Sequence, residues 1–269
     1  YILAVNPNIL SDAGMDRGAV FTATALASLV ATLLMAAFAN YPFVLAPGMG
    51  LNAYFAYTIC LGELADQANP WQIALTAILV EGIIFIILSA FKFRETLVNC
   101  IPENLKYGIT TGIGLFITFI GLQNAGIAAA DASTKVALGD IAQPQVALAL
   151  IGVIIIGLML YFNVKGAILW GILITWGLGI IAQFTGWYAV NPEAGVYSLL
   201  PSGSFLPNFA ALGDTAFKFD FSFMLNNTVE FAVIVFAFLF VDLFDTVGTL
   251  IGVAAKGNML DKDGKLPRV

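Results

Sequence analysis

The sequence predicts an all-α polytopic membrane protein that crosses the bilayer about eight times. Sixty per cent of the 269 residues are hydrophobic and only 10% are charged, far from the balance of a soluble domain. Several apolar runs approach or exceed the ~20 residues that span a hydrocarbon core of about 30 Å. The runs lack the strict alternation of a membrane β-barrel, and unpaired backbone groups are too costly in lipid for other structures. Helices are therefore predicted.

Six apolar runs predict six of the crossings: residues 18–39, 71–91, 107–122, 146–162, 167–184 and 229–255. Loop 92–106 carries three cations, the short loop after the run 146–162 carries Lys165 and residues 256–269 carry four cations, whereas the opposite loops are mainly acidic. These cationic stretches are predicted to be cytoplasmic. For these signs to alternate, residues 46–61 must also cross, and the apolar start of the chain supplies a truncated first crossing.

The third crossing is predicted to be broken. Pro47 removes a backbone donor, and Gly48 and Gly50 weaken a helix, so the chain is expected to enter as an extended segment and become helical later. Inside a membrane, the exposed backbone groups of such a segment are tolerated only where protein or a water-filled cavity covers them. Transporters build substrate sites near the midplane in this way.

Two carboxylates, Asp242 and Asp245, interrupt the last apolar run. At the centre of a membrane helix an aspartate costs about 2.5–3.5 kcal/mol on insertion scales, so it commonly faces a protein interior, water or a partner. The spacing of three residues places both side chains on one helix face. A polar site inside the membrane is favoured over a purely structural network.

The broken crossing and the aspartates together suggest one site for a planar, hydrogen-bonding heterocycle, although Asn52 could instead cap the following helix. Asp242 and Asp245 are also candidates for coupling transport to a proton. Glu81, in the middle of the fourth crossing, is expected to lie outside both clusters and to act structurally or as a proton relay. The predicted substrate-binding residues are Asn52, Asp242, Asp245, Gly50, Leu51 and Ala53.

Several classes of function are disfavoured. The chain has no histidine, and its two cysteines, Cys60 and Cys100, lie on different apolar segments without metal-ligand spacing. No cofactor, metal or catalytic residue is therefore predicted. A net charge of −6 argues against nucleic acid as a partner. A channel would need a continuous polar pore, and a membrane enzyme would have only the two aspartates as an acid–base pair.

Three segments resemble the AzgA-like purine permeases of the nucleobase:cation symporter-2, or xanthine–uracil permease, superfamily. They are residues 46–53 (APGMGLNA), residues 102–107 (PENLKY) with 112–116 (GIGLF), and residues 240–249 (FVDLFDTVGT). The resemblance implies secondary transport of a purine nucleobase, adenine or guanine/hypoxanthine, across the cytoplasmic membrane with a proton or another cation. Uracil, xanthine or another planar anion or heterocycle is the alternative substrate. A homodimer is a further partner to consider.

The same resemblance implies a uracil-permease-like fold of two inverted seven-helix repeats, divided into a core and a gate. In this family another carboxylate of the site lies on the tenth helix, so the chain is interpreted as a fragment with one wall of the site. The segment Asn6-Pro7-Asn8 either borders that site or ends the first helix. The implied divisions are core helices 1–4 (1–95), gate helices 5–7 (96–190), an extracytoplasmic loop (191–224), core helix 8 (225–256) and a cytoplasmic loop (257–269).

Overall fold

Helices coincide with all six predicted apolar runs in the computed structural model, which describes residues 2–90, 103–191, 196–200, 209 and 211–259. The helices are α1 Ile2–Asp12, α2 Arg17–Leu34, α3 Met49–Ala53, α4 Pro70–Ala90, α5 Glu103–Asn124, α6 Pro144–Tyr161, α7 Ala167–Phe184, α8 Ser222–Asn226 and α9 Thr228–Lys256. The all-α prediction needs one correction. An antiparallel hairpin, β1 Ala128–Asp131 with β2 Lys135–Leu138, lies between α5 and α6.

Five segments of the described residues are long and apolar enough to cross a membrane. They are Arg17–Ala39, Pro70–Ser89, Pro144–Tyr161, Ala167–Phe184 and Thr228–Ala254. The apolar part of α5, Gly114–Asn124, is shorter, as are α1 and α3. The chain is thus a multi-pass helical membrane protein. The count of eight crossings and the inverted repeat stay predictions.

The segment that is predicted to form the third crossing has the expected non-helical start, with one difference. A π-helical turn, Met35–Ala39, follows α2, and Asn40 then adopts the left-handed conformation with φ 56°. No regular structure follows until α3, whose N-cap Gly48 is extended. The helix begins at Met49, so Leu51, Asn52 and also Gly50, which was expected to weaken a helix, are helical. The broken backbone is partly satisfied by Thr32, whose hydroxyl accepts a 3.0 Å hydrogen bond from Leu45 N.

Beyond α3 the crossing continues as a ten-residue π-helix, Tyr54–Glu63. Its inner face joins side chains of α1, α4 and α9 in a core that includes Ile9, Phe55, Ile59, Ala74 and Ile234. This core belongs to the first of two compact units, Tyr1–Ile117 with Leu206–Val269. It fixes α3 beside α9, which matters for the site described below.

The second unit is Thr118–Phe205. It contains the hairpin and the pair α6 and α7, joined by a turn in which Asn163 and Gly166 have φ of 53° and 76°. Trp176 Nε1 donates a 2.9 Å hydrogen bond to the carbonyl of Leu199, which ties the following segment to α7. The predicted boundaries at 95 and 190 differ from those of the two units, because α5 contributes to both. The assignment of core and gate stays a prediction.

Some predictions concern residues outside the described ranges. These are most of loop 92–106 and the end of the stretch 256–269, both predicted to be cytoplasmic, together with Cys100 and parts of the loop 191–224. The other cysteine, Cys60, is a buried free thiol in the π-helix.

Candidate functional site

A cavity of about 1100 Å³ lies in the first unit, where the extended segment before α3 meets α9. The segment and α3 contribute residues 44–52, and α4 contributes Ile78 and Glu81. α9 contributes one face, beginning at Phe238 and continuing through Asp242, Asp245, Thr246, Thr249 and Leu250. These α9 positions follow the three- and four-residue spacing that brings side chains to one side of a helix.

The two predicted clusters meet directly at Gly48. A Cβ atom built on Gly48 would lie 3.0 Å from Asp245 Oδ2. The glycine therefore lets the extended backbone approach the carboxylate, and any side chain at this position would crowd it. Asp242 lies one helical turn earlier, and its Oδ1 accepts a 3.3 Å hydrogen bond from the hydroxyl of Thr246.

Asn52 lines the same cavity, and its side chain is hydrogen-bonded to Asn6 of α1. Its Nδ2 donates a 2.6 Å hydrogen bond to Asn6 Oδ1. Asn6 is only 3% exposed, and its own Nδ2 donates to Thr24 Oγ1 at 2.7 Å. Pro7 lies inside α1, so the alternative that Asn6-Pro7-Asn8 ends the first helix is wrong. Asn52 also does not cap a helix with its side chain, since α3 has no side-chain cap.

Glu81 was expected to lie outside both clusters, and the structure contradicts this. Its side chain lines the cavity and is 6% exposed, and its Oε1 has no hydrogen-bond partner among the described residues. It also lies within electrostatic range of Asp242. The contact depends on the packing of α4 against α9, which no local pattern in the sequence reveals.

Of the other predicted binding residues, two line the cavity and one does not. Gly50 and Leu51 line the cavity, whereas Ala53 does not; it is 1% exposed and packs behind the cavity wall. Sequence reasoning missed Phe238 and Thr246, which lie four residues before and after Asp242. Helical spacing from Asp242 could have found both.

The ionisable side chains that line the cavity are all acidic among the described residues. Three carboxylates face it, and none of the described lining residues is basic. Within the described ranges, no group of three or more acidic or cysteine side chains is arranged to hold a metal ion. The site can therefore offer hydrogen-bond acceptors around an otherwise apolar space, and it must be neutralised by something that enters it.

Comparison with known proteins decides the family. The model of the Permease family (Xan_ur_permease) matches residues 1–266. The chain belongs to the Permease family. The predicted resemblance to the nucleobase:cation symporter-2 superfamily is thereby confirmed. Because this family consists of transporters, the alternative of a membrane enzyme using the two aspartates is wrong.

Relatives within the Permease family carry informative names. The chain is 47% identical over 269 residues to a putative permease from Methanocaldococcus jannaschii. It is 45% identical over 272 residues to the guanine/hypoxanthine permease PbuO of Bacillus subtilis and 38% identical over 270 residues to the adenine permease AdeP of Escherichia coli. Each match covers 100% of this chain, and the matched part is 57%, 59% and 56% of the respective relative. The chain thus spans less than two thirds of these relatives.

Proposed function

We propose that this permease transports purine nucleobases across the cytoplasmic membrane and that the chain supplies one wall of the purine site. The observation that carries the proposal is the meeting of two unusual features at one cavity. The backbone of a broken crossing approaches Asp245 at Gly48, and Asn52 lines the same space. Broken crossings near the midplane are the usual location of transporter binding sites.

The chemistry of the cavity suits a purine. Ligand sites are mainly apolar with a few convergent polar groups. Ile78 and Leu51 offer apolar surface to the faces of a flat ring, with the buried Phe238 behind them, and the carboxylates and the Asn52 amide offer acceptors to its edge. Every purine base carries N–H groups on that edge. We assign Asn52, Asp242 and Asp245 to substrate recognition, with Gly50 and Leu51 as part of the wall.

The names of the relatives support adenine, guanine and hypoxanthine over the alternative substrates uracil and xanthine. PbuO is named for guanine and hypoxanthine and AdeP for adenine, and each aligns with the whole of this chain. Uracil and the dioxopurine xanthine therefore serve below as competitors that test the assignment.

We further propose that transport is coupled to a proton. Asp242 and Asp245 repel each other, and Glu81 lies close enough to Asp242 to add to this repulsion. With no basic side chain among the described lining residues, several negative charges at one site inside a membrane are unfavourable unless a cation or a proton enters. Asp242, Asp245 and Glu81 are the candidates for carrying the proton. We keep the proposal that loop 92–106 and residues 256–269 are cytoplasmic.

Uptake of radiolabelled adenine, hypoxanthine and guanine by the full-length protein tests the proposal. We expect saturable uptake of at least one of these three bases, competition among adenine, hypoxanthine and guanine, weak competition by uracil and by the dioxopurine xanthine, and loss of accumulation when a protonophore is added. Absence of purine uptake in every condition would refute the transport assignment. Accumulation that survives the protonophore but depends on sodium would refute only the proton.

A further inference from the structure

A chain of buried hydrogen bonds connects the cavity to the backbone of α2. Asn52 Nδ2 donates to Asn6 Oδ1 at 2.6 Å, and Asn6 Nδ2 donates to Thr24 Oγ1 at 2.7 Å. The Thr24 hydroxyl then donates to the carbonyl of Val20 at 2.7 Å. Asn6 and Thr24 are 3% and 4% exposed, so water has little access to these groups.

The direction of this chain is fixed by its last member. A backbone carbonyl can only accept, so the single proton of Thr24 is directed to Val20. The Thr24 oxygen is then an acceptor, and Asn6 must turn its NH₂ group toward it. The carbonyl oxygen of Asn6 consequently faces Asn52, which must present its own NH₂ group. Reversing one amide alone would place two acceptors or two donors against each other, which is unfavourable in a buried site, and reversing both would remove the hydrogen bond from Thr24 to Val20.

This leaves the carbonyl oxygen of Asn52 outside the chain. It has no hydrogen-bond partner among the described residues, and Asn52 lines the cavity. We propose that Asn6, held by Thr24, is a positioning residue that fixes the Asn52 amide so that its carbonyl oxygen accepts an N–H group of the nucleobase. The inference rests on the proposed function and names the feature of the base that the site selects.

An amide whose orientation is fixed can discriminate between adenine and hypoxanthine or guanine, whereas an amide that can rotate cannot. Adenine carries an amino group at the ring position where hypoxanthine and guanine carry a carbonyl, and the adjacent ring nitrogen accepts in adenine but donates in the other two. An amide that can turn over would accommodate either pattern. An amide locked by Asn6 favours one pattern, because the other leaves a buried acceptor facing an acceptor.

The test measures inhibition constants of adenine, hypoxanthine and guanine for uptake by the full-length protein. The variants are Asn6→Leu, which keeps the side-chain shape but removes the amide, and Thr24→Val, which removes the hydroxyl that orients Asn6. We expect the preference between adenine and hypoxanthine to move toward equality by about ten-fold, equivalent to about 1.4 kcal/mol. Thr24→Ser keeps the hydroxyl and should retain the wild-type preference.

Ser28→Ala is the matched control, because the Ser28 hydroxyl lies one turn further along α2 and donates only to the backbone of its own helix. A loss of uptake that is equal for all three bases in Asn6→Leu and Thr24→Val would overturn the inference and assign Asn6 a structural role. A wild-type protein that binds all three bases equally would also overturn it. If Asn6→Leu does not reach the membrane, Thr24→Val decides alone. Absence of any uptake by the wild-type protein would instead refute the proposed function.

Discussion

The two units bury different kinds of side chain. All six polar side chains that are buried in the described part of the chain lie in the first unit: Asn6, Thr22, Thr24, Thr76, Glu81 and Thr215. In the second unit, α6 and α7 pack through small residues instead. A Cβ added to Gly152 would lie 2.6 Å from Thr175 Oγ1, and one added to Gly171 would overlap Ile156. Apolar side chains of both helices are exposed on their outer faces.

This difference indicates that the buried side chains of the first unit serve binding and that the glycines of the second unit serve helix packing. Lipid offers no hydrophobic force between helices, so close approach at glycines is a common source of helix association in membranes. A polar side chain inside a membrane has a cost and needs a partner or a ligand. Substitutions in the first unit should therefore alter transport at little cost in stability, and substitutions at the glycines of the second unit should do the reverse.

The largest effect is expected for Asp242→Asn. The amide keeps the size of the side chain but cannot ionise, so both recognition of the base and proton coupling should fail and purine uptake should be abolished. Uptake normalised to the amount of protein in the membrane measures this. Glu230→Gln on the same helix is the control, because Glu230 is exposed in the first turn of α9. Normal transport by Asp242→Asn would remove this carboxylate from the site.

Gly48→Ala should have the next largest effect. The added methyl group would meet Asp245 Oδ2 at 3.0 Å, so the carboxylate must move by a few tenths of an ångström. We expect the apparent affinity for the base to fall by about ten-fold, or about 1.4 kcal/mol, with little change in thermal stability. Gly82→Ala is the control, since open space surrounds Gly82. Equal affinities of the two variants would show that the contact at Gly48 does not shape the site.

Gly171→Ala tests whether the glycines of the second unit contribute to stability rather than to binding. Its methyl group overlaps Ile156, so we expect a loss of about 1–3 kcal/mol in stability, the usual range for an overpacked core, with unchanged affinity for the base. Thermal denaturation of the detergent-solubilised full-length protein measures the first quantity and competition assays the second. Gly177→Ala on the same helix meets no atom within 4 Å and should behave as wild type. A change of affinity without a change of stability would contradict the comparison.

The smallest effect is expected at the hairpin. Hydrogen bonds from the backbone and hydroxyl of Thr134, and from the backbone of Ser133, hold the pKa of Asp131 below its usual range. A lowered pKa means that the turn is stabilised fully above the ordinary titration range of aspartate and loses this support as pH falls through the lowered pKa. Hydrogen exchange at the Ser133 and Thr134 amides should accelerate accordingly. In Asp131→Ala the exchange should be fast already and show no acid-dependent step beyond intrinsic exchange.

Much of the fold could be predicted because the bilayer restricts the choices. An apolar run in lipid must form a helix, so runs such as 71–91 and 167–184 match α4 and α7 to within a residue or two. Pro47 and Gly48 disclosed the broken crossing, because both residues oppose a helix. The three-residue spacing of Asp242 and Asp245 disclosed their shared face, which is a property of one helix alone.

What the sequence could not disclose depends on contacts between distant segments. Asn6 meets Asn52 across 46 positions, and Glu81 reaches the cavity only because α4 packs beside α9. Ala53 was assigned to the site together with its neighbours in the motif, whereas its position on the helix leaves it buried and outside the cavity lining. The hairpin was missed because β1 is three alanines followed by an aspartate, a composition with little β propensity.

If residues 46–61 cross the membrane as predicted, the break before Met49 also determines a depth. Met49–Ala53 and Tyr54–Glu63 together hold 15 residues, which at a rise of 1.5 Å or less cover at most about 22 Å. At least about 8 Å of a hydrocarbon core of roughly 30 Å is then left for the chain before Met49. A cation that reaches Asp245 from the Asn40 side would thus cross at least about a quarter of the membrane field. Its binding would respond to voltage by at least about 0.6 kcal/mol per 100 mV.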